Sequence, residues 1–400
     1  LNVSGGTVTT SSLRHENSGL GSEVNLTGGV VIAGEVLHQV IQATSLATND
    51  SFIINLEAGG TLVTDRVYVN RTVTGATHTL ELRFDGGTLR KLSASADHNL
   101  IDAPQGTGGT ADLKVVIEDG GALIDIDSGG SDSSADVVQS LQHDSDLDQI
   151  RDGGLVKQGA DTLTLLANNT FTGPAIVTEG TLALVNTSSN NTLAEANLID
   201  VQFATYLDVT GLDNGTVTGT MILADGQTLM GEGTVTGNLI AGSGSTVTPG
   251  PGPGILYEVG DYTMNAGSTL EIEIGGDQEG NDSNNHDQMD VTGAVRLENA
   301  TLNVSSFNGY VPQFSDEYVI INNDGDDPVI GTFAGLPEGT LFPNFLDSGL
   351  TAKISYVAGD GNNDVVISFF GAPSIALVKV GTFQDENGDG DADQGETIRY

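Results

Sequence analysis

The 400-residue chain carries 54 Asp plus Glu against 13 Lys plus Arg, a formal net charge of −41, with 55 Gly, no Cys and no Trp. Such a surface excludes nucleic-acid binding, whose affinity comes from basic side chains neutralising phosphates; the lack of cysteine excludes disulfides and thiol or Cys-zinc chemistry. No apolar run is long enough to span a bilayer, so no membrane insertion is expected in this stretch.

Residues 1–150 read as irregular coils of short strands. Leu1 opens an alternating stretch, LNVSGGTVTT, and TIRY closes the chain in another, so the sequence reads as a piece of a longer protein. Gly-x-Thr-Leu or similar units recur at Thr7, Thr61 and Thr88, and again at Thr162, Thr181 and Thr301. Asp125 and Asp127 in LIDID stand at strand spacing and share one face; so do Asp144, Asp146 and Asp148 if HDSDLDQ is extended. A hydrolase needs two carboxylates about 5–10 Å apart across a groove; a solvated acidic face is the alternative. The most helix-like stretch runs from Ala135 to Arg151, as a short helix or a loop packed beside the coils. His143 and His286 sit among acids, as metal ligands or as solvated loop histidines, and the six histidines show no ligand spacing.

Residues 151–305 are more regular. GTVTGTMILADGQTL from Gly215 aligns with GTVTGNLIAGSGSTV from Gly233 at an offset of 18, and GDYTMNAGSTL from Gly260 aligns with GNLIAGSGSTV from Gly237 at an offset of 23. A period near 20 with about three short strands per period predicts a β-solenoid. Glycines take the positive-φ corners, and Leu163, Leu165, Leu182 and Leu184 point inward to stack on neighbouring coils.

GLVKQGADTLTLLANNTFTGPAIVTEGTLAL, residues 154–184, resembles the autotransporter-associated β-strand repeat, also called the passenger-associated transport repeat. Gly154, Leu155, Lys157, Gly159, Thr162, Leu163, Thr164, Leu165, Asn169, Thr172, Gly173, Val177, Gly180, Thr181, Leu182 and Leu184 match; Asp161, Phe171 and Pro174-Ala175 depart. AGSTLEIEI and GTFAGLPEGT, from Ala266 and Gly331, are similar to β-helical parts of large secreted bacterial proteins that carry this repeat. The resemblance implies a right-handed parallel β-helix whose repeat supports folding after export, in a secreted or cell-surface bacterial protein.

Residues 277–290 form a polar insertion, and over 306–370 the coil signature fades into EYVIINN, PVIGTF, LTAKISYV and DVVISFF, read as a β cap on an otherwise open solenoid end. GDGNND, Gly359–Asp364, reads as a hairpin turn. Residues 371–400 resemble the start of an Ig-like sandwich repeat of bacterial surface proteins rather than a membrane barrel. Within them DENGDGDADQGE fits D-x-[DN]-x-[DN]-G-x5-E at every specified position. This spacing predicts a structural calcium site on Asp385, Asn387, Asp389, Asp391, Asp393 and Glu396 in a β context, since the flanks alternate like strands.

The fold expectation is therefore all-β: a right-handed parallel β-solenoid with a β cap and the start of an Ig-like sandwich. The functional expectation is a structural or adhesive segment without catalysis in this stretch, with extracellular glycans or other surface proteins as partners. The alternatives are a secreted polysaccharide-degrading β-helix enzyme and a non-catalytic glycan-binding module, because the fold hosts all three.

Overall fold

Alternation of small polar and aliphatic residues becomes alternation of exposure. In the strand Thr162–Leu165, Leu163 and Leu165 are fully buried while Thr162 and Thr164 are half-buried. One such strand cannot hide its apolar edge, so equivalent strands stack in register and share ladder hydrogen bonds. The computed structural model describes residues 1–16, 21–40, 50–71, 77–92, 98–106, 110–127, 134–147, 150–189, 191–324, 327–369, 382–386, 388 and 397–399.

The result is a parallel β-solenoid. One ladder runs through Ala122–Asp125, Leu155–Gln158, Ala175–Val177, Leu198–Val201, Thr228–Gly231, Thr246–Pro249, Thr269–Ile274 and Thr301–Ser306. A second runs through Ser134–Val137, Thr162–Leu165, Thr181–Asn186, Tyr206–Leu212, Thr234–Thr236, Ile255–Val259, Gln288–Val291 and Glu317–Asn323. A third side of five strands begins at Thr220–Leu223 and continues through Asn238–Ala241, Tyr262–Met264, Val295–Glu298 and Ile330–Thr332. Leu163 stacks on Leu182 and Leu165 on Leu184, all four fully buried, as their alternation requires.

The 18- and 23-residue offsets are the registers of the ladders. Thr220 faces Asn238 and Thr228 faces Thr246; Leu239 faces Tyr262 and Thr246 faces Thr269. One half of the repeat alignment does not hold. Thr234–Thr236 pairs with Tyr206–Asp208, not with Thr216–Thr218. The first GTVTG copy lies in an excursion after Leu212, where Asp213 bridges Thr218 in antiparallel fashion.

The N-terminal coils use longer strands than expected, 15 residues over Asn2–Glu16 and 19 over Ser22–Val40, paired in parallel along most of their length. Over Ala135–Arg151, read as a short helix or a loop packed beside the coils, the described residues form no α-helix and are in part strand. The described part is a strand Ser134–Val137, a strand Leu141–His143 and one 3-10 turn, Ser145–Leu147. Ala135 and Val137 face inward beneath Leu163 and Leu165, so ladder pairing overrides the local helical spacing.

Beyond residue 305 the pairing changes sense. Glu317–Asn323 is parallel to Gln288–Val291 on one side and antiparallel to Asp364–Phe369 on the other; that strand also pairs antiparallel with Ala352–Ala358. A 3-10 turn at Asp360–Asn362 joins these last two, which makes Gly359–Asp364 the hairpin connection. Aromatic residues scarce elsewhere gather here, with Tyr318, Phe345 and Phe369 mutually within about 6 Å between ring centroids. No helix among the described residues is long and apolar enough to cross a membrane.

Candidate functional site

The coil at 154–184 is held by three polar side chains aimed at backbone. Asp152, just before it, is buried. Its Oδ1 accepts from the Gly154 and Gly173 amides, both at 2.9 Å, and its Oδ2 from the Thr172 amide at 2.8 Å. Three N–H donors of a corner that no ladder can reach are thus satisfied by one carboxylate. Gly154 itself has φ +72, and a Cβ there would fall 2.0 Å from the Pro174 carbonyl. Only glycine lets the two coils approach so closely.

Lys157 is fully buried, and its Nζ donates to the carbonyls of Gly159, Asp161 and Glu179. Its three donors match three acceptors, and burial pulls its pKa down to about 8 against the pull of Asp161, Asp125 and Glu179. Asn169 links three coils. Its Oδ1 accepts from the Leu141 amide at 3.0 Å, and its Nδ2 donates to Ala167 O at 3.0 Å and Thr192 O at 3.1 Å. Lys157 and Asn169 belong to the repeat motif; Asp152 lies outside it, and its signal was only the Asp-Gly-Gly turn signature.

The sequence-predicted acid pairs are not brought together. Asp125 ends its strand, is buried and meets Arg90 at 2.7 Å, while Asp127 lies past the strand end and is exposed. Asp144 is buried near Arg83 at 3.7 Å and accepts from the Asp146 amide at 3.0 Å, so Asp146 sits in a turn and not on a shared strand face; Asp148 lies outside the described residues.

Two histidine contacts were not legible in sequence. His143 Nδ1 lies 2.8 Å from Asp152 Oδ2 and 3.4 Å from Thr172 Oγ1. Acid and hydroxyl crowd the same ring nitrogen, whereas a nucleophile relay divides the two nitrogens between them. His98 Nδ1 lies 2.8 Å from Ser134 Oγ, 36 residues away in sequence, brought close because Asn99 pairs with Asp136. His286 is buried against Tyr318, ring centroids 5.3 Å apart, and burial lowers its pKa. Among the described residues no group of three or more His, Asp or Glu is placed to hold a metal ion.

The interior also holds acids. Glu258 points inward between Val235 and Val291, fully buried, with neither carboxylate oxygen hydrogen-bonded among the described residues. Burial drives its pKa well above the ordinary range. The buried Tyr262 hydroxyl lacks a partner in the same sense, and burial beside Glu258 raises its pKa too. Asp287 is raised to about 8 by burial, although its oxygens accept from the Gly254 and Glu273 amides at 2.8 and 2.7 Å.

Of the predicted calcium loop, Asp385 is described, and Asn387, Asp389, Asp391, Asp393 and Glu396 lie outside the described residues. The strands on either side, Thr382–Gln384 and Thr397–Arg399, pair antiparallel with Gln384 facing Thr397. The stretch that resembles an Ig-like repeat, residues 371–400, lies largely outside the described residues as well.

Comparison with known proteins bears on the solenoid. The family model for the passenger-associated-transport-repeat matches residues 155–184. An extracellular serine protease of Serratia marcescens is 31% identical over 122 residues, which cover 30% of this chain and 9% of that protein. The matched repeat coincides with the coil whose Lys157 and Asn169 spend their hydrogen bonds on neighbouring backbone. Residues 155–184 are therefore similar to a passenger-associated-transport-repeat, built into the middle of a parallel β-solenoid, and the chain spans less than a tenth of the length of the extracellular relative it matches.

Proposed function

We propose that this chain is a structural and adhesive segment of a large bacterial surface protein, in which stacked coils fold after export and carry binding surfaces outward. Localisation outside the cell, secreted or on the surface, follows from the passenger repeat and agrees with the extracellular relative. The observation that carries the structural reading is the polar network of the repeat coil. Asp152, Lys157 and Asn169 are buried and committed to backbone groups of adjacent coils, so the side chains best suited to chemistry there act as rivets.

One feature favours the enzymatic alternative. A groove of about 330 Å³ is flanked by Glu271 and Glu273, two apart on one strand, and burial together with Glu271 raises the Glu273 pKa. Purified chain incubated with neutral and acidic polysaccharides and with casein should release no products. Turnover abolished by Glu273→Gln would overturn the structural reading in favour of a hydrolase using that pair.

We propose further that Asp385–Glu396 binds calcium as a staple between paired strands. The antiparallel pairing of Gln384 with Thr397, which brings the two ends of the loop together, supports this, and the Gly388 amide donates to Asp385 Oδ1 to turn the chain at the head of the loop. In a chain extended past Tyr400, calcium should raise the melting temperature, and Glu396→Ala should remove most of that rise. An unchanged calcium response in the variant refutes the site.

A further inference from the structure

The second ladder places one outward column along successive coils: Thr162, Thr181, Tyr206, Thr234, Tyr257, Asp290 and Asn322. The first rungs are threonines, the ordinary choice for a solvated strand face. At two rungs the residue becomes tyrosine, 48% exposed at Tyr206 and 38% at Tyr257. Exposed tyrosines on either side of a small threonine are not needed for stacking, because the inward residues Leu207 and Leu256 already fill the core. Val259, 45% exposed, stands beside Tyr257 in the adjoining outward column, and Phe203, 68% exposed, stands on the turn before Tyr206.

We infer that this column, centred on Tyr206 and Tyr257, binds an extended, uncharged polysaccharide. The inference deepens the adhesive part of the proposed function and rests on it. Adjacent rungs of a ladder are about 4.8 Å apart, so the two rings lie roughly 9–10 Å apart with Thr234 between them. One rung is near the advance of one sugar in an extended glycan, so alternate sugars meet the two rings while the middle one passes over the short threonine. A pyranose offers an apolar C–H face to an aromatic ring and hydroxyls at its edge.

Polar partners continue the same line. Asn322 Nδ2 donates to Asp290 Oδ2 at 3.3 Å, a carboxylate-amide pair suited to neighbouring hydroxyls. At Asn322 the column opens into a pocket of about 540 Å³ whose walls include Gln288, Glu317 and Asp360. Charge selects the class of glycan. The column and the described pocket walls carry acids and no Lys or Arg, within a chain of net charge −41, which repels uronates, sulfated chains and sialylated termini.

The test is calorimetric titration of the chain with cellohexaose, chitohexaose and, as anionic control, hexagalacturonate. With no Trp in the chain, tyrosine emission provides a second readout. At least one neutral hexasaccharide should bind, and hexagalacturonate should not. Tyr206→Thr with Tyr257→Thr, which extends the threonine column already present, should weaken binding at least about tenfold with the melting curve unchanged. Failure of both neutral hexasaccharides to bind the parent chain, or equal binding by the double variant, overturns the inference. Attachment of chain-coated beads to epithelial monolayers separates the two levels. Attachment retained by the double variant leaves the adhesive reading standing and removes the glycan surface; no attachment by the parent removes the adhesive reading whatever the titration shows.

Discussion

Asp152→Ala is expected to cost about 3 kcal/mol or more, because it strands the Gly154, Thr172 and Gly173 amides at a buried corner, each unpaired donor costing roughly 1–3 kcal/mol. The His143 and Thr172 side chains lose their acceptor at the same time. Water cannot readily replace the carboxylate, since the corner is closed by two glycines in near contact. Asp152→Asn should fall between parent and alanine: its oxygen keeps part of the set, but its amide group faces an N–H that needs an acceptor. Chemical denaturation measures the loss, and hydrogen exchange should show it concentrated in the coils around Gly154–Val177, because a solenoid opens through its weakest neighbour contact. An alanine variant that unfolds with the parent would mean that the corner is solvated and the carboxylate dispensable.

Leu182→Asp is the second large effect. Leu182 lies between Leu163 and Leu207 in an inward column, all three fully buried. An aspartate there has no cation within the column and must either stay charged in an apolar layer or take up a proton, and both routes cost several kcal/mol. The expected outcome is loss of cooperative folding in the central coils, seen as an early, broadened thermal transition. Thr181→Asp, one residue away on the outward face, is the matched control and should stay within about 0.5 kcal/mol of the parent. Equal damage from both, or from neither, contradicts the assigned register, because a slip of one residue exchanges the two faces.

The solenoid was legible because parallel in-register stacking makes like residues meet like. Thr228 on Thr246 and Leu163 on Leu182 repeat in sequence at the spacing at which they pair in space. Alternation alone therefore identified the inward leucines, and the Gly-x-Thr-Leu corners marked the coil turns. The same reasoning failed where a segment had two partners of similar pattern. Thr216–Thr218 and Tyr206–Asp208 are both alternating stretches of sequence with a claim on Thr234–Thr236, but only the second forms a strand and pairs with it. Likewise Ala135–Arg151 was the most helix-like stretch of the sequence, and only the neighbouring coil, with Leu163 and Leu165 facing Ala135 and Val137, made its first residues a strand.

Ionisable groups divide in the same way. The sequence by itself determined an acidic, cysteine-free, stacking β chain and located its repeat, because composition and period are properties of one strand of text. Which acids are buried was decided only in three dimensions. Glu258 occupies a position that valine holds on the rungs above and below, and nothing in EVG, Glu258–Gly260, marks it as interior. Asp125 and Asp127 share a pattern but part company because the strand ends at Asp125 and Arg90 stands on the preceding coil. Asp152 and Lys157 each take part of their partners from residues about 20 positions on, across a coil step. The physical reason is common to all of them. Local sequence fixes which side chains a strand presents on each face, whereas burial, pairing and charge state depend on the coil that happens to lie against it, and that neighbour is set by the length of the turn between them.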